Sequence, residues 1–532
     1  MKEILVINLT RIGDLIQTTP LLRALRTQHP QARITLVVNA TNRGIAALIP
    51  DYHRLLLFAP EKEVPSSNGV SQLAPLYLYL KKFVEDLAQT CYDLAVNLTH
   101  DHTTAIMLSL LDCADTRGLC ASSDGKTRVY DSWLTWFAGV KYYRSLNPFN
   151  LVDLYQFAAG LDQPHQGLCI TEDAVNTSID HLLPDDALCF GVQAGASLSE
   201  RRWPPERFAA AADRIASEHQ LTPLLFGAPS ERELGQRIAG LMQQPHINLV
   251  GKTSLAELTA LLKRCRFLIT NDTGSMHIAT AVDTPSVALF PVHARAAETG
   301  PYAAGSICIE PRISCHPCLH NTTCPHYACL DFISVDHVAQ AVNFLTRSIQ
   351  PEPSPDARFF QTGFDPSGAW ICRPLIKEPA TLTEITARVY RQVKRPCEDW
   401  LDMLLADYCF TSDHQPLLIT LRKSMLLVRD FADKAATLCR KLARSAEKGD
   451  QAYIEQHVAK LVAIDSELEN LGHTHPETAP ITRGFQLATG SRDYQPTKSY
   501  FQKNASIADS AKKTASDFLA CLSQLEKTAI SS

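Results

Sequence analysis

Through its first half the chain alternates short β-rich apolar runs with longer stretches in which apolar residues recur every three or four positions. Residues 4–9 form such a run, and within 14–28 the residues Leu15, Thr18, Leu22 and Leu25 share one side of a helix. Residues 33–38, 55–58 and 92–98 predict three further strands, with a helical 76–89 ahead of the last. Side chains alternate across a strand but wind around a helix, so the two periods are distinguishable in sequence. Strands separated by helices of this length predict right-handed βαβ units and a parallel sheet.

The alternation restarts after residue 185. Runs at 188–192, 223–226, 248–250, 267–270 and 286–290 predict strands. Helical spacing fills 205–218, 231–242, 255–263 and 275–282, and a helix over 334–349 closes the block. Pro351-Glu352-Pro353-Ser354-Pro355 reads as a linker. Asp365-Pro366-Ser367-Gly368 is a turn between two half-apolar runs, which predicts a hairpin. From residue 382 to about 471, and again near the C-terminus, the periodicity is helical. The expected fold is α/β: two doubly wound, Rossmann-like domains at 1–180 and 181–349, a linker and hairpin at 350–380, and a mostly α-helical domain at 381–532. Ligands of doubly wound sheets lie beyond the carboxyl ends of the strands.

Composition adds limits. At 532 residues the chain exceeds the about 250–300 that one core can serve. A net charge of -5, with no block of like charge, excludes a dedicated nucleic-acid binder. No run reaches the about 18 apolar residues of a membrane helix. The apolar start Ile4-Leu5-Val6-Ile7 is too short for a signal peptide and no small-residue cleavage site follows it. The 16 cysteines are mostly scattered, as reduced thiols of a cytoplasmic protein are.

Two strand-to-helix turns carry the chemistry. In Arg11-Ile12-Gly13-Asp14, Gly13 allows a tight turn and close approach to a ligand, and Asp14 opens a helix as either its cap or a base. In Asp272-Thr273-Gly274-Ser275-Met276-His277, the helix N-terminus favours phosphate and the hydroxyls add donors. His277 is either a cleft residue or a core histidine. A third loop runs Gly195-Ala196-Ser197 to Arg201-Arg202-Trp203-Pro204, where a guanidinium can hold a diphosphate or simply stand in solvent.

In combination and order these motifs resemble glycosyltransferase family 9, the ADP-heptose:lipopolysaccharide heptosyltransferases, over residues 1 to about 348. Gly13-Asp14 with Thr18-Thr19-Pro20-Leu21-Leu22, Gly195-Ala196-Ser197, Arg201-Arg202-Trp203-Pro204, Gly227-Ala228-Pro229 with Glu231, and Asp272-Thr273-Gly274 with His277 carry the resemblance. It implies a GT-B arrangement, with the acceptor on the first domain and the donor on the second. Transfer would invert the sugar, with Asp14 as general base and no cofactor in catalysis. Arg11 and Gly13 would shape the acceptor-side loop. Ser197, Arg201, Glu231, Asp272, Thr273, Gly274 and His277 would bind the donor, Glu231 at the ribose. The implied partners are ADP-heptose and a lipopolysaccharide core or other glycan acceptor, met in the cytoplasm with peripheral contact at the inner-membrane face. Two departures stand out: Arg201 replaces a common Lys, and Pro291-Val292-His293 replaces Gly-Pro-Thr.

Cys315, Cys318, Cys324 and Cys329 cluster, with His316, His320 and His326 among them. They are either a structural Zn or Fe site or a set of reduced thiols. Arg388, Arg391, Lys394 and Arg395 line one helical face, which either meets an anionic glycan or lipid or is merely solvated. Two other functions fit: a transferase using another nucleotide sugar on a protein or surface polysaccharide, and a non-catalytic nucleotide-sugar binder.

Overall fold

The computed structural model describes residues 1–60, 73–122, 127–129, 131–161, 167–184, 186–319, 322–395, 400–409, 414–489 and 497–529. The first sheet comprises β1 (Glu3–Asn8), β2 (Arg33–Asn39), β3 (Arg54–Phe58), β4 (Leu94–Asn97), β5 (Thr116–Ala121) and β6 (Thr127–Val129), in the order β3-β2-β1-β4-β5-β6. β1 runs parallel to both β2 and β4, so the order reverses beside β1. The second sheet comprises β7 (Cys189–Gln193), β8 (Thr222–Phe226), β9 (Ile247–Asn248), β10 (Leu268–Asn271), β11 (Ser286–Leu289), β12 (Ile307–Pro311), β13 (Ala357–Phe364) and β14 (Trp370–Pro374). Its order is β14-β13-β12-β11-β10-β7-β8-β9, which reverses between β7 and β10. Both sheets are doubly wound, as the alternation predicts, and their near-continuous apolar strands are buried on both faces.

Two local differences have physical causes. The single helix expected at 14–28 is two, Ile12–Ile16 and Thr19–Gln28. Pro20 has no N–H for the carbonyl of Ile16, and the Thr19 hydroxyl takes that carbonyl instead at 2.7 Å. The hairpin expected at 358–375 forms, but it is no appendage. β13 pairs antiparallel with β12 and β14 with β13, so the hairpin extends the second sheet.

The chain divides into two compact units: residues 1–127 with 149–376, and residues 128–148 with 377–532. The first holds both sheets. The second is mostly helical and built on two long helices, Gln415–Lys448 and Lys498–Ala529. A segment from between the strands of the first sheet and the rest of that domain belongs to this second unit. Its Trp136 packs edge-on to Tyr390 at 4.8 Å, and Tyr390 in turn to Phe518 at 4.8 Å. The basic helical face is occupied within that unit: Arg388 pairs with Asp407 at 2.8 Å, and Lys394 lies over the Trp133 ring at 4.6 Å. Burial pushes Lys394 down to about 8. Two of the four basic residues of that face are thus engaged within the unit. Among the described residues no helix is long and apolar enough to cross a membrane.

Candidate active site

Each functional turn leaves a strand at the point where its sheet reverses, which is where doubly wound sheets leave a crevice. After β1, the short helix Ile12–Ile16 begins directly at the turn. Asn8, buried at the strand's end, holds the turn by donating to the Thr18 hydroxyl at 2.8 Å. The Thr18 hydroxyl in turn donates to the Asp14 carbonyl at 2.8 Å. Asp14 Oδ2 accepts from the Arg11 amide at 3.2 Å, so the carboxylate does cap its helix. Burial pushes the Asp14 carboxyl above its ordinary range, and the Asp272 carboxylate adds to this against the Arg11 amide and Thr10 hydroxyl. The Arg11 side chain is exposed.

After β10, Asn271 plays the part of Asn8. It donates to the carbonyls of Ala194 at 2.9 Å and Gly195 at 3.2 Å, and accepts from the Trp203 amide at 3.1 Å. One buried amide thus fixes the small-residue loop, the basic loop and the β10 turn together. Trp203 is itself fully buried, with its indole N–H on the Ile333 carbonyl at 2.8 Å. The helix Gly274–Ala281 starts at the turn, where the first N–H groups of a helix lack the usual carbonyl four residues back; the Met276 amide takes the Thr273 carbonyl at 3.1 Å. Thr273 shares a hydrogen bond with the Thr270 hydroxyl at 3.1 Å.

Arg201 and Asp272, read in the sequence as separate donor ligands, are partners. Arg201 Nη2 lies 2.5 Å from Asp272 Oδ2, with both side chains largely buried. Its neighbour Arg202 is spent on the Ala196 carbonyl at 2.9 Å, which folds the 195–201 loop back on itself. Ser197, at the tip of that loop, is exposed.

Glu231 is held at the edge of the second sheet. Its Oε2 accepts from the Ala228 amide at 2.8 Å and from Gln193 Nε2 at 3.3 Å. Gln193 Oε1 accepts from the Ser275 hydroxyl at 3.2 Å, so a polar chain runs from Glu231 to the His277 helix. Gly195 is needed here, because a Cβ would stand 1.9 Å from Glu231 Oε1.

The two turns meet. A Cβ on Gly13 would lie 2.9 Å from His277 Cδ2 and 3.7 Å from the Gly274 Cα, so the first turn comes this close only as glycine. His277 is buried and burial pushes it down to about 4, which leaves it neutral at ordinary pH. Sequence reasoning places Gln193 and Asn271 at the head of these two turns without assigning them a role; their signal is a polar residue ending an otherwise apolar strand. It also missed Tyr155, a buried phenol close enough to Asp14 to feel its charge.

The cysteines of the cluster make local hydrogen bonds. Among the described residues no three His, Cys, Asp or Glu side chains form a metal-binding group. Cys318 approaches the Cys315 carbonyl at 3.6 Å, and Cys324 Sγ takes the Tyr327 amide at 3.2 Å. Burial first, then the three neighbouring thiols, push Cys318 up. His316 is engaged by the carbonyls of Phe290 at 2.8 Å and Ala294 at 2.9 Å. His320 lies outside the described residues.

Residues 80–327 match the model of glycosyltransferase family 9 (heptosyltransferase). The lipopolysaccharide core heptosyltransferase OpsX of Haemophilus influenzae is 24% identical over 312 residues, covering 57% of this chain and 82% of that protein. Lipopolysaccharide heptosyltransferase 2 of Escherichia coli is 25% identical over 303 residues, covering 54% and 82%. The crystal structure of a family 9 glycosyl transferase from Veillonella parvula covers 65% of this chain and 97% of its own, with 24% identity and a TM-score of 0.50; it shares the fold.

Proposed function

We propose that this chain, a glycosyltransferase similar to family 9, transfers a heptose from ADP-heptose to a lipopolysaccharide core or related glycan. The observation that carries the reading is the meeting of the two turns. It sets Asp14 against the start of the helix Gly274–Ala281, next to Asp272 and His277.

The proposed reaction is a single displacement with inversion. The acceptor hydroxyl loses its proton to the Asp14 carboxylate as its oxygen bonds to the anomeric carbon. The bond from that carbon to the diphosphate breaks, and the nucleoside diphosphate leaves with the electron pair. An ordinary aspartate, at about 3.9, is a weak base. Desolvation raises Asp14 and so improves it. The leaving group gains charge next to the helix N-terminus at Thr273 and Gly274 and the guanidinium of Arg201. One Arg201 nitrogen is engaged by Asp272, and the fork has further donors to offer. Fixed cations and dipoles of this kind stabilise developing negative charge, so we assign no metal to the chemical step. Glu231, with one carboxylate oxygen anchored, presents the other to the ribose hydroxyls.

The test is release of nucleoside diphosphate from a panel of nucleotide sugars, ADP-heptose included, with heptose-deficient lipopolysaccharide as acceptor. Turnover of ADP-heptose above all others is expected. Turnover of a different nucleotide sugar would reassign the donor, and binding without turnover on any acceptor would make the protein a binder.

A further inference from the structure

The turn that leaves β11 carries a strained residue. Val292 has φ 61, in the left-handed region that a β-branched side chain rarely enters. A backbone in such a conformation persists only where its surroundings hold it there. One short segment supplies the hold. His316 Nε2 lies 2.8 Å from the Phe290 carbonyl and 2.9 Å from the Ala294 carbonyl, and the Cys318 amide donates to the Val292 carbonyl at 2.9 Å. Carbonyls only accept, so Nε2 carries a proton. Burial pushes His316 below its ordinary value, so at pH 7 the ring is neutral and this is its single N–H. One N–H thus ties the two ends of the turn together, and the Cys318 amide ties its middle.

The held turn in its turn supports the one that starts the His277 helix. β10 and β11 run parallel, and just past the end of β10 the Asp272 amide donates to the Leu289 carbonyl at 3.2 Å. Leu289 directly precedes the held turn. Phe290 and Ala294 pack with Met276 in one buried apolar cluster, and Met276 lies in the first turn of the helix Gly274–Ala281. On the other side Asn271 and Arg201 fix the same segment to the loops after β7. The Asp272–His277 turn is therefore gripped from two sides, and on the β11 side the grip runs back to His316. Backbone donors at a helix N-terminus hold a phosphate only when correctly aimed, so a small shift of the helix start is felt as lost affinity.

We propose that His316 is a positioning residue for the nucleotide-sugar site. It holds the Phe290–Ala294 turn, and through that turn it aims the helix N-terminus that would receive the diphosphate. The proposal rests on the transferase reading above and gives the histidine inside the cysteine cluster a task in donor binding, at second hand and without touching the ligand.

The test compares His316→Leu with His316→Gln, whose amide presents an N–H at similar reach. Affinities for ADP and ADP-heptose, the KM of the acceptor and Tm are measured for both. His316→Leu should weaken ADP and ADP-heptose in parallel by about tenfold, the size of one good hydrogen bond. The acceptor's KM should stay at the wild-type value, and His316→Gln should bring both nucleotide affinities back towards wild type. A lowered Tm in His316→Leu with both affinities unchanged would make His316 a purely structural residue and overturn the proposal. Equal losses of affinity in the two variants would overturn it as well, because the N–H would not be what matters. A wild-type protein that binds neither ADP nor any nucleotide sugar would sink the transferase reading and the positioning role with it. That failure shows before any substitution is made, so it is told apart from a failure of His316 alone.

Discussion

The turns after β1 and β10 share a plan and differ in their electrostatics. Each follows a strand that ends in a buried asparagine, Asn8 or Asn271, whose side chain pins the local backbone. Each sets a glycine near an aspartate at the start of a helix. Asp272 has a guanidinium at 2.5 Å, while among the described residues Asp14 has no ion pair within 4 Å and is helped by the Arg11 amide, the Thr10 hydroxyl and, last, the more distant Arg11 charge. The compensated aspartate suits structure and binding. The less compensated one is half-buried with its proton affinity raised, which suits a group that must accept a proton. The same residue type in the same local design is thus assigned two jobs by its neighbours.

Asp14→Asn breaks that contrast hardest. It keeps size and hydrogen bonding but cannot accept a proton, so kcat should fall about 10²–10⁴-fold, the usual worth of a general base. Stability should move the other way. A carboxyl whose pKa is raised on folding binds its proton more tightly in the folded state, so it favours folding at low pH and opposes it at neutral pH. The asparagine variant should therefore match or exceed wild-type Tm at pH 7–8, with the difference closing as pH falls towards the unfolded value of about 3.9. The acid limb of the wild-type rate should lie above that same value. A variant with wild-type turnover would leave Asp14 as a helix cap only.

Arg201→Ala attacks the compensated turn and should lose both properties. Asp272 would be left buried without its partner, a change that typically costs about 3–5 kcal/mol. Activity should also fall by about 10²-fold or more as charge on the leaving group goes unmet. A Tm unchanged within error would show that the pair does not hold the turn, and that the contrast with Asp14 is one of chemistry alone.

Much of this was legible in the sequence. Period two against period 3.6, restarted once, gives two doubly wound sheets, and the glycine-aspartate turns mark the edges where they reverse. What escaped depends on contacts between distant residues. Nothing local says that Arg201 spends itself on Asp272, 71 residues away, or that Gln193 bridges Ser275 and Glu231. The 128–148 segment is apolar and aromatic in the manner of any core helix. Only its packing against Tyr390 shows that it belongs with the C-terminal helices. The basic residues at 388–395 have a helical face in sequence but no visible partner, because Asp407 and Trp133 reach that face only on folding. The cysteines cluster in sequence, but spacing does not specify how their side chains converge: among the described residues no three form a metal-binding group.

Gly13→Ala tests the meeting of the turns. The new methyl would stand 2.9 Å from the His277 ring, so one wall must yield. Overpacking of this kind typically costs about 1–3 kcal/mol, and pushing Asp14 away from the anomeric carbon should lower kcat while ADP affinity holds. If Tm and kcat both stay at wild-type values, the two turns have room to spare and their contact does not set the position of the base.

Glu231→Gln is the mildest and separates the two turns most finely, because among the described residues the hydrogen bonds of Glu231 lead to the second turn by way of Gln193 and Ser275. The amide can still accept through its oxygen, but it meets the Ala228 N–H without a charge, and its nitrogen cannot accept from a ribose hydroxyl. Trading a charge-assisted hydrogen bond for a neutral one costs about 1 kcal/mol, or roughly a fivefold rise in KM for the nucleotide sugar. Because the ribose does not react, that contact is the same in ground and transition states, and kcat should hold. A fall in kcat with KM unchanged would mean that the Glu231–Gln193–Ser275 chain positions the His277 helix during reaction, which would move Glu231 from binding the nucleotide to supporting the turn that faces Asp14.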